Sequence, residues 1–318
     1  MQHISSPFIN NNLSEIKQNI LATLAYFDMF RYPLTRAEVY LFLPQKYSFD
    51  FFDDALRTLL NNGIIYQFDR FFCLKNDKGL AARRIEGNKK AEALIGIARR
   101  VGSVLIRFPY VQGVAISGSL SKNFADDESD IDLFIITAKN RLWIARSTMH
   151  CLKKLSFLIK REHYFCMNYY IDEQELQIAE KNIYTAIEIG TLMPLEGDLI
   201  FEKFYAANAW TRAFLPNKNM RVASAKPTRP GLLKRLFELI FNASIGNYVD
   251  TLLMKITAAR WRKKTLHHKQ NNRGEVMAMI SGKHFSKPDP KNFQANLLLK
   301  YEYKVASVLK EYEGSLVH

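Results

Sequence analysis

Two short apolar runs, separated by a glycine turn and an acidic loop, constrain the fold of this chain more than any other feature. The first run is Val111–Ile116 and the second covers residues 131–137. Runs of this length between turn residues predict buried β-strands. Asp130 and Asp132 stand at the start of the second run, and side chains two residues apart on a strand point to the same face. Carboxylates placed in this way repel each other, so we expect a cation between them.

The turn between the two runs carries residue types that bind phosphate. Gly118 permits a tight turn and the close approach of a ligand to the backbone. Ser119 offers a hydroxyl, and the first N–H groups of a helix starting here are unpaired and attract anions. Lys122 lies one helical turn further on, within reach of the same anion. Combined with two carboxylates that suit Mg²⁺, these residues predict metal-assisted nucleotidyl transfer.

The segment GSLSKNFADDESDIDLFII resembles the signature of the DNA polymerase beta-like nucleotidyltransferase superfamily, in its minimal form. The resemblance implies an α+β fold with a small mixed β-sheet. It also implies that Gly118 and Ser119 bind the phosphates of an NTP, assisted by Lys122. Asp130 and Asp132 would be the catalytic metal ligands, with two Mg²⁺ ions expected alongside the NTP. The implied reaction moves a nucleoside monophosphate to an acceptor, which is a small molecule, a protein or RNA.

The resemblance covers residues 111–171, and it leaves the family's third carboxylate undecided. That group comes from a later strand, which here reads YFCMNYYID. Asn168 and Asp172 share one face of this strand by parity, and Asn168 occupies the expected position. Two hypotheses therefore stay open. The chain is either an active nucleotidyltransferase, or a catalytically inactive module of the same fold with a binding or regulatory role.

Residues 1–80 predict a winged-helix-like domain of three helices and a hairpin. The helical spacing of apolar residues begins at Leu13, and Thr35 with Glu38 forms a capping box for the second helix. Gly63 ends the third helix. This third helix carries three aspartates and one arginine, whereas a DNA-reading helix usually has surplus basic residues. A protein-contact or scaffolding role is therefore favoured for this domain.

Residues 81–215 alternate helical and strand patterns and predict the nucleotidyltransferase domain. Within it, Glu188 interrupts an apolar helix and either faces a pocket or pairs with a basic residue. A linker is predicted at residues 216–231, which are rich in Pro, Lys and small residues. Residues 216–318 predict a basic helical C-terminal domain that carries +12 of the net charge of +14. Such a region either binds nucleic acid or is a solvated surface.

The remaining features of the sequence exclude several classes of protein. The three cysteines, Cys73, Cys151 and Cys166, form neither a disulfide framework nor a metal-binding spacing. The N-terminal residues lack the pattern of a signal peptide. No apolar run reaches the roughly 20 residues that a membrane span needs. We therefore expect a cytoplasmic protein without a membrane partner.

Overall fold

The computed structural model describes residues 12–158, 162–218, 231–242, 244–268, 278–288 and 293–315. Within these ranges, helices combine with a three-stranded sheet and a six-stranded mixed sheet. The mixed α+β class predicted from the sequence is thus confirmed. Most of the predicted linker at residues 216–231 lies outside the described residues. No described helix is both long enough and apolar enough to cross a bilayer.

The N-terminal unit packs three helices against a small antiparallel sheet. The helices are α1 (Leu13–Asp28), α2 (Arg36–Leu41) and α3 (Phe49–Asn61), and the strands are β1 (Leu34–Thr35), β2 (Tyr66–Phe68) and β3 (Phe71–Cys73), in the order β1-β3-β2. The predicted capping box is present, because Glu38 N donates to Thr35 Oγ1 at 3.3 Å and Thr35 N donates to the Glu38 carboxylate at 2.8 Å. Gly63 has a φ of +68°, which glycine adopts without strain.

The central part of the chain builds the six-stranded sheet and the helices that cover it. Its elements are α4 (Lys78–Leu105), β4 (Val111–Ile116), α5 (Gly118–Ser121), β5 (Asp132–Thr137), α6 (Leu142–Leu158), β6 (Cys166–Asp172), α7 (Ile183–Thr191), β7 (Met193–Glu196) and α8 (Asp198–Ala207). The strand β4 pairs antiparallel with β5 and β7, while β5 pairs parallel with β6. Both faces of β4 and β5 are buried, which explains why their sequences read as continuous apolar runs.

The C-terminal third contains two short strands in addition to the helices that the sequence predicts. Its elements are α9 (Leu232–Phe241), α10 (Ser244–Leu266), β8 (Met279–Ser281), β9 (Phe285–Pro288) and α11 (Phe293–Ser315). The strands β9 and β8 extend the central sheet beyond β6, giving the order β7-β4-β5-β6-β9-β8. The helix α11 instead packs on α1, where Lys304 Nζ lies 2.8 Å from Asp28 Oδ2. Residues 216–318 therefore contribute to both of the units that precede them.

Arg84 of α4 joins the N-terminal unit to the central part. Its side chain is only 3% exposed, and it donates to Glu38 Oε1 and to the Pro33 carbonyl oxygen, each at 2.8 Å. Its guanidinium also lies 3.6 Å from the centroid of the Tyr32 ring. The Tyr32 hydroxyl in turn donates to the carbonyl oxygen of Lys122. The N-terminal unit is thus fixed directly to the residues around the glycine turn.

Candidate functional site

The glycine turn closes tightly against the start of β5. The chain leaves β4 at Ser117, whose N–H donates to the Asp132 carbonyl oxygen at 2.9 Å. Gly118 follows with a φ of +65°, and a Cβ placed there would lie 2.6 Å from Asp132 Oδ2. Glycine is therefore required twice, once for its backbone conformation and once for the space that the carboxylate occupies. Ser119 is exposed beside this contact, in the single turn of α5.

The two predicted aspartates lie at the start of β5. Asp132 is the first residue of the strand, whereas Asp130 precedes the strand, so the expectation that both lie on it is wrong for Asp130. Ile131 between them is fully buried, whereas Asp130 and Asp132 are both half-buried. Burial raises the pKa of the Cys166 thiol to about 12, and the charges of Asp132 and Asp130 add to that shift against the opposing charge of Lys153. Both carboxylates thus act electrostatically on the same thiol at this end of the sheet.

Asn168 takes the third position beside these carboxylates. Its side-chain amide nitrogen donates to Asp132 Oδ1, and its amide oxygen accepts from Cys166 Sγ at 3.1 Å. The pairing of β6 with β5 shifts at this residue, since Met167 faces Leu133 and Tyr169 faces Phe134. Such bulges occur often beside functional sites, where they redirect a side chain.

Asp172 lies at the other end of β6 and does not belong to this site. The register pairs Asp132 with Cys166 and Thr137 with Asp172, so the two aspartates are separated by about 17 Å along the strands. Asp172 is fully buried and accepts hydrogen bonds from Asn140 N and His284 Nδ1, each at 2.9 Å. The possibility that Asp172 supplies the third carboxylate is therefore wrong, and Asn168 is the residue that adjoins the pair.

Lys122 points toward the turn but has a carboxylate partner. Its ammonium lies 2.7 Å from Glu188 Oε1 and 3.1 Å from the Gly118 carbonyl oxygen. Of the two roles left open for Glu188, pairing with a basic residue is the one found. Burial raises the pKa of Tyr184, one helical turn before Glu188, and the charges of Glu188 and Asp132 contribute to the rise. Through its bond to the Gly118 carbonyl oxygen, the Lys122–Glu188 pair adjoins the glycine turn that closes on Asp132.

The donor set fits a hard divalent cation whose coordination is completed by a ligand. Asp130 and Asp132 supply carboxylate oxygens, and rotation of the Asn168 amide would present its oxygen beside them. Within the described residues, no group of three or more His, Cys, Asp or Glu side chains could hold a metal ion by itself. Mg²⁺ commonly takes one or two protein carboxylates together with waters and phosphate oxygens. The residues present are thus compatible with Mg²⁺ bound together with a phosphate ligand.

Comparison with known proteins finds no relative of this chain. No family model matches the chain, no curated protein is similar to it, and no solved structure matches its fold. Any function must therefore be inferred from the residues and their geometry.

Proposed function

We propose that this protein is a Mg²⁺-dependent nucleotidyltransferase that moves a nucleoside monophosphate from an NTP to an acceptor hydroxyl. One observation carries the proposal, namely the contact between the Gly118 turn and the Asp132 carboxylate. A phosphate bound at that turn would lie next to a carboxylate, which would repel it without an intervening cation. Asp130 and Asp132 would hold a divalent cation, whose positive charge would offset this repulsion.

Each residue of the site has a distinct role in the proposed reaction. Asp130 and Asp132 would hold Mg²⁺, which neutralises the triphosphate and stabilises the pyrophosphate leaving group. Gly118 keeps the backbone close enough for phosphate binding, and the exposed Ser119 hydroxyl donates to a phosphate oxygen. Lys122 is held at 2.7 Å by Glu188, so an incoming phosphate competes with that carboxylate for the ammonium. If a phosphate replaced Glu188 as the partner of the Lys122 ammonium, phosphate binding would be coupled to a change at α7, which carries Glu188.

The test compares pyrophosphate release and self-labelling from α-labelled NTPs with Mg²⁺, using wild type, Asp130→Asn and Asp132→Asn. The matched control is Glu128→Gln, which removes one charge from an exposed position in the same acidic loop. We expect each Asn variant to lose activity while Glu128→Gln retains it. Equal activity in wild type and Asp132→Asn would remove the proposed function.

A second function is favoured by Asn168, which stands beside Asp132 where an active enzyme would have a carboxylate. With no third acid there, the chain would be a nucleotide-binding or regulatory module without turnover. Calorimetric titration with NTP and Mg²⁺ separates the two functions. Binding that disappears in Asp132→Asn, together with absent pyrophosphate release, identifies the module. Binding together with release identifies the enzyme.

The flanking regions have proposed roles of their own. The helix-strand-helix-helix-hairpin order of the N-terminal unit supports a winged-helix-like domain. On α3, Asp53 binds Arg36 at 3.1 Å and Arg57 at 2.9 Å, which favours scaffolding over DNA contact. The exposed Arg260, Arg262 and Lys263 of α10 support nucleic-acid binding by the C-terminal region. Retention on a polyanion column that falls steeply with salt is the expected result, and absent retention would exclude it.

A further inference from the structure

A cavity lies beside Lys122, between the N-terminal helices and the end of α7, and Met193 at the start of β7 also lines it. Its volume is about 300 Å³, at the lower end of the range for small-molecule sites. Phe27, Phe42 and Leu192 contribute apolar wall, and two basic residues, Lys122 and Lys218, also line the cavity. We refer to this space as the Lys218 cavity.

The charges around the Lys218 cavity do not balance. Lys122 is paired with Glu188 at 2.7 Å, and Glu38 is paired with Arg84 at 2.8 Å. Among the residues that the structure describes, no carboxylate lies within ion-pair distance of the Lys218 ammonium, which sits 4.6 Å from the Phe42 ring centroid. Burial and the charge of Lys122 together lower the pKa of Lys218 to about 8, against the opposing charge of Glu38. Lys218 is half-buried, and an ammonium partly withdrawn from water with only a ring face beside it is stabilised by an anion.

Lys218 is held in place by packing that a mobile surface lysine would lack. Its aliphatic stem runs over Gly190, where an added Cβ would lie 3.3 Å from Lys218 Cδ. The preceding residue, Asn217, donates to the carbonyl oxygens of Tyr40 and Gln45, each at 3.0 Å. These contacts attach the segment to the N-terminal unit and direct the ammonium into the cavity.

We propose that the Lys218 cavity binds a small organic anion, with its carboxylate or phosphate group on Lys218 and its apolar body against Phe42 and Phe27. The anion would supply the charge that the cavity lacks, and the ring faces would exclude water from the pair. Neither Asp130 nor Asp132 is among the described residues that line the cavity. The site is therefore separate from the aspartates, and it stands whether or not the protein transfers nucleotides.

The test uses four probes, namely phenyl phosphate, benzoate, inorganic phosphate and the neutral benzyl alcohol. Binding to the full chain is measured by calorimetry for wild type, Lys218→Met and Lys203→Met. Lys203 is an exposed lysine on α8 and serves as the matched control. We expect phenyl phosphate or benzoate to bind wild type and Lys203→Met equally, and to bind Lys218→Met about 10- to 100-fold more weakly, the usual value of a charged hydrogen bond. Whichever of the two binds more tightly identifies the anionic group.

A second measurement needs no variant and so does not depend on the folding of Lys218→Met. Wild-type protein is treated with limiting acetic anhydride near pH 8, and acetylation of each lysine is mapped by mass spectrometry. We expect the bound probe to slow acetylation of Lys218 and to leave Lys203 unchanged. Three outcomes would overturn the proposal: no binding of either organic anion, equal binding by Lys218→Met, or unprotected Lys218. Equal affinity for inorganic phosphate would refute the apolar part of the site.

Discussion

Replacement of Gly118 by alanine tests the contact on which the proposed function rests. Two costs are expected, because the residue has a φ of +65° and an added Cβ would lie 2.6 Å from Asp132 Oδ2. The left-handed backbone costs a residue with a side chain about 1–2 kcal/mol. Turning the Asp132 side chain out of the way costs a further 0.5–1.5 kcal/mol or so. The free energy of unfolding should therefore fall by about 1.5–3.5 kcal/mol.

Two other glycines separate these costs. Gly63 has nearly the same φ, +68°, but an added Cβ there meets nothing within 4 Å, so Gly63→Ala should show the backbone cost alone. Gly96 lies inside α4 with open space around it, and Gly96→Ala should stabilise the protein by about 0.5–1 kcal/mol. Urea unfolding of the three variants gives the free energies by linear extrapolation.

The same variants report on function. A shift of the Asp132 carboxylate by a fraction of an ångström or more should reduce Mg²⁺-dependent pyrophosphate release by up to about 100-fold in Gly118→Ala. Gly63→Ala and Gly96→Ala should retain wild-type activity. If Gly118→Ala and Gly63→Ala lose the same free energy within about 0.5 kcal/mol, the turn does not contact Asp132 in solution and the reasoning is refuted.

Three further predictions concern other parts of the network. Arg84→Met should cost about 3–5 kcal/mol because it leaves Glu38 without its buried partner. Arg57→Met should cost less than about 1 kcal/mol in the same urea assay, because the ion pair of Arg57 with Asp53 lies at the surface. Equal losses would contradict the buried pairing. Folding lowers the pKa of Lys218 from the ordinary 10.5 to about 8, so between these values the unfolded state binds more protons. Wild type should therefore gain stability over Lys218→Met as the pH rises from 8 toward 10. Parallel stability curves would exclude a lowered pKa at Lys218. Asn168→Asp should be destabilised without divalent cations, because it places a second carboxylate against Asp132. Millimolar Mg²⁺ or Mn²⁺ should raise the melting temperature of this variant more than it raises that of wild type or of Asn168→Ala. Equal shifts would place Asn168 away from any cation site.

The N-terminal elements could be predicted because their signals are local. The capping box of Thr35 and Glu38 and the glycine at position 63 each act within a few residues, and both are found as predicted. The strands β8 and β9 could not be predicted in this way. They have three and four residues, β9 contains Lys287 and Pro288, and their pairing depends on β6, more than a hundred residues earlier in the chain. Contacts over such separations leave no periodic pattern in a short segment.

The candidate site shows the same division between local and distant information. The sequence predicts a glycine turn that serves the same ligand as the two aspartates, and the turn closes against Asp132. Parity along β6 left both Asn168 and Asp172 open, because it gives the face of a strand and not the position along its neighbour. The register and the shift at Asn168 decide between them. Lys218 gave no signal in the sequence, since a cavity exists only after distant elements have packed.

The contacts around Lys122 link the site to the rest of the molecule. Burial raises the pKa of Tyr32 above its usual range, so its hydroxyl stays protonated and donates to the Lys122 carbonyl oxygen at neutral pH. Arg84 holds the Tyr32 ring from the other side. The Lys122 ammonium bonds to Gly118 and Glu188, and its stem forms part of the wall of the Lys218 cavity. Lys122 is therefore shared by the glycine turn and the cavity, so an anion that draws its ammonium from Glu188 on one side changes the charge presented on the other.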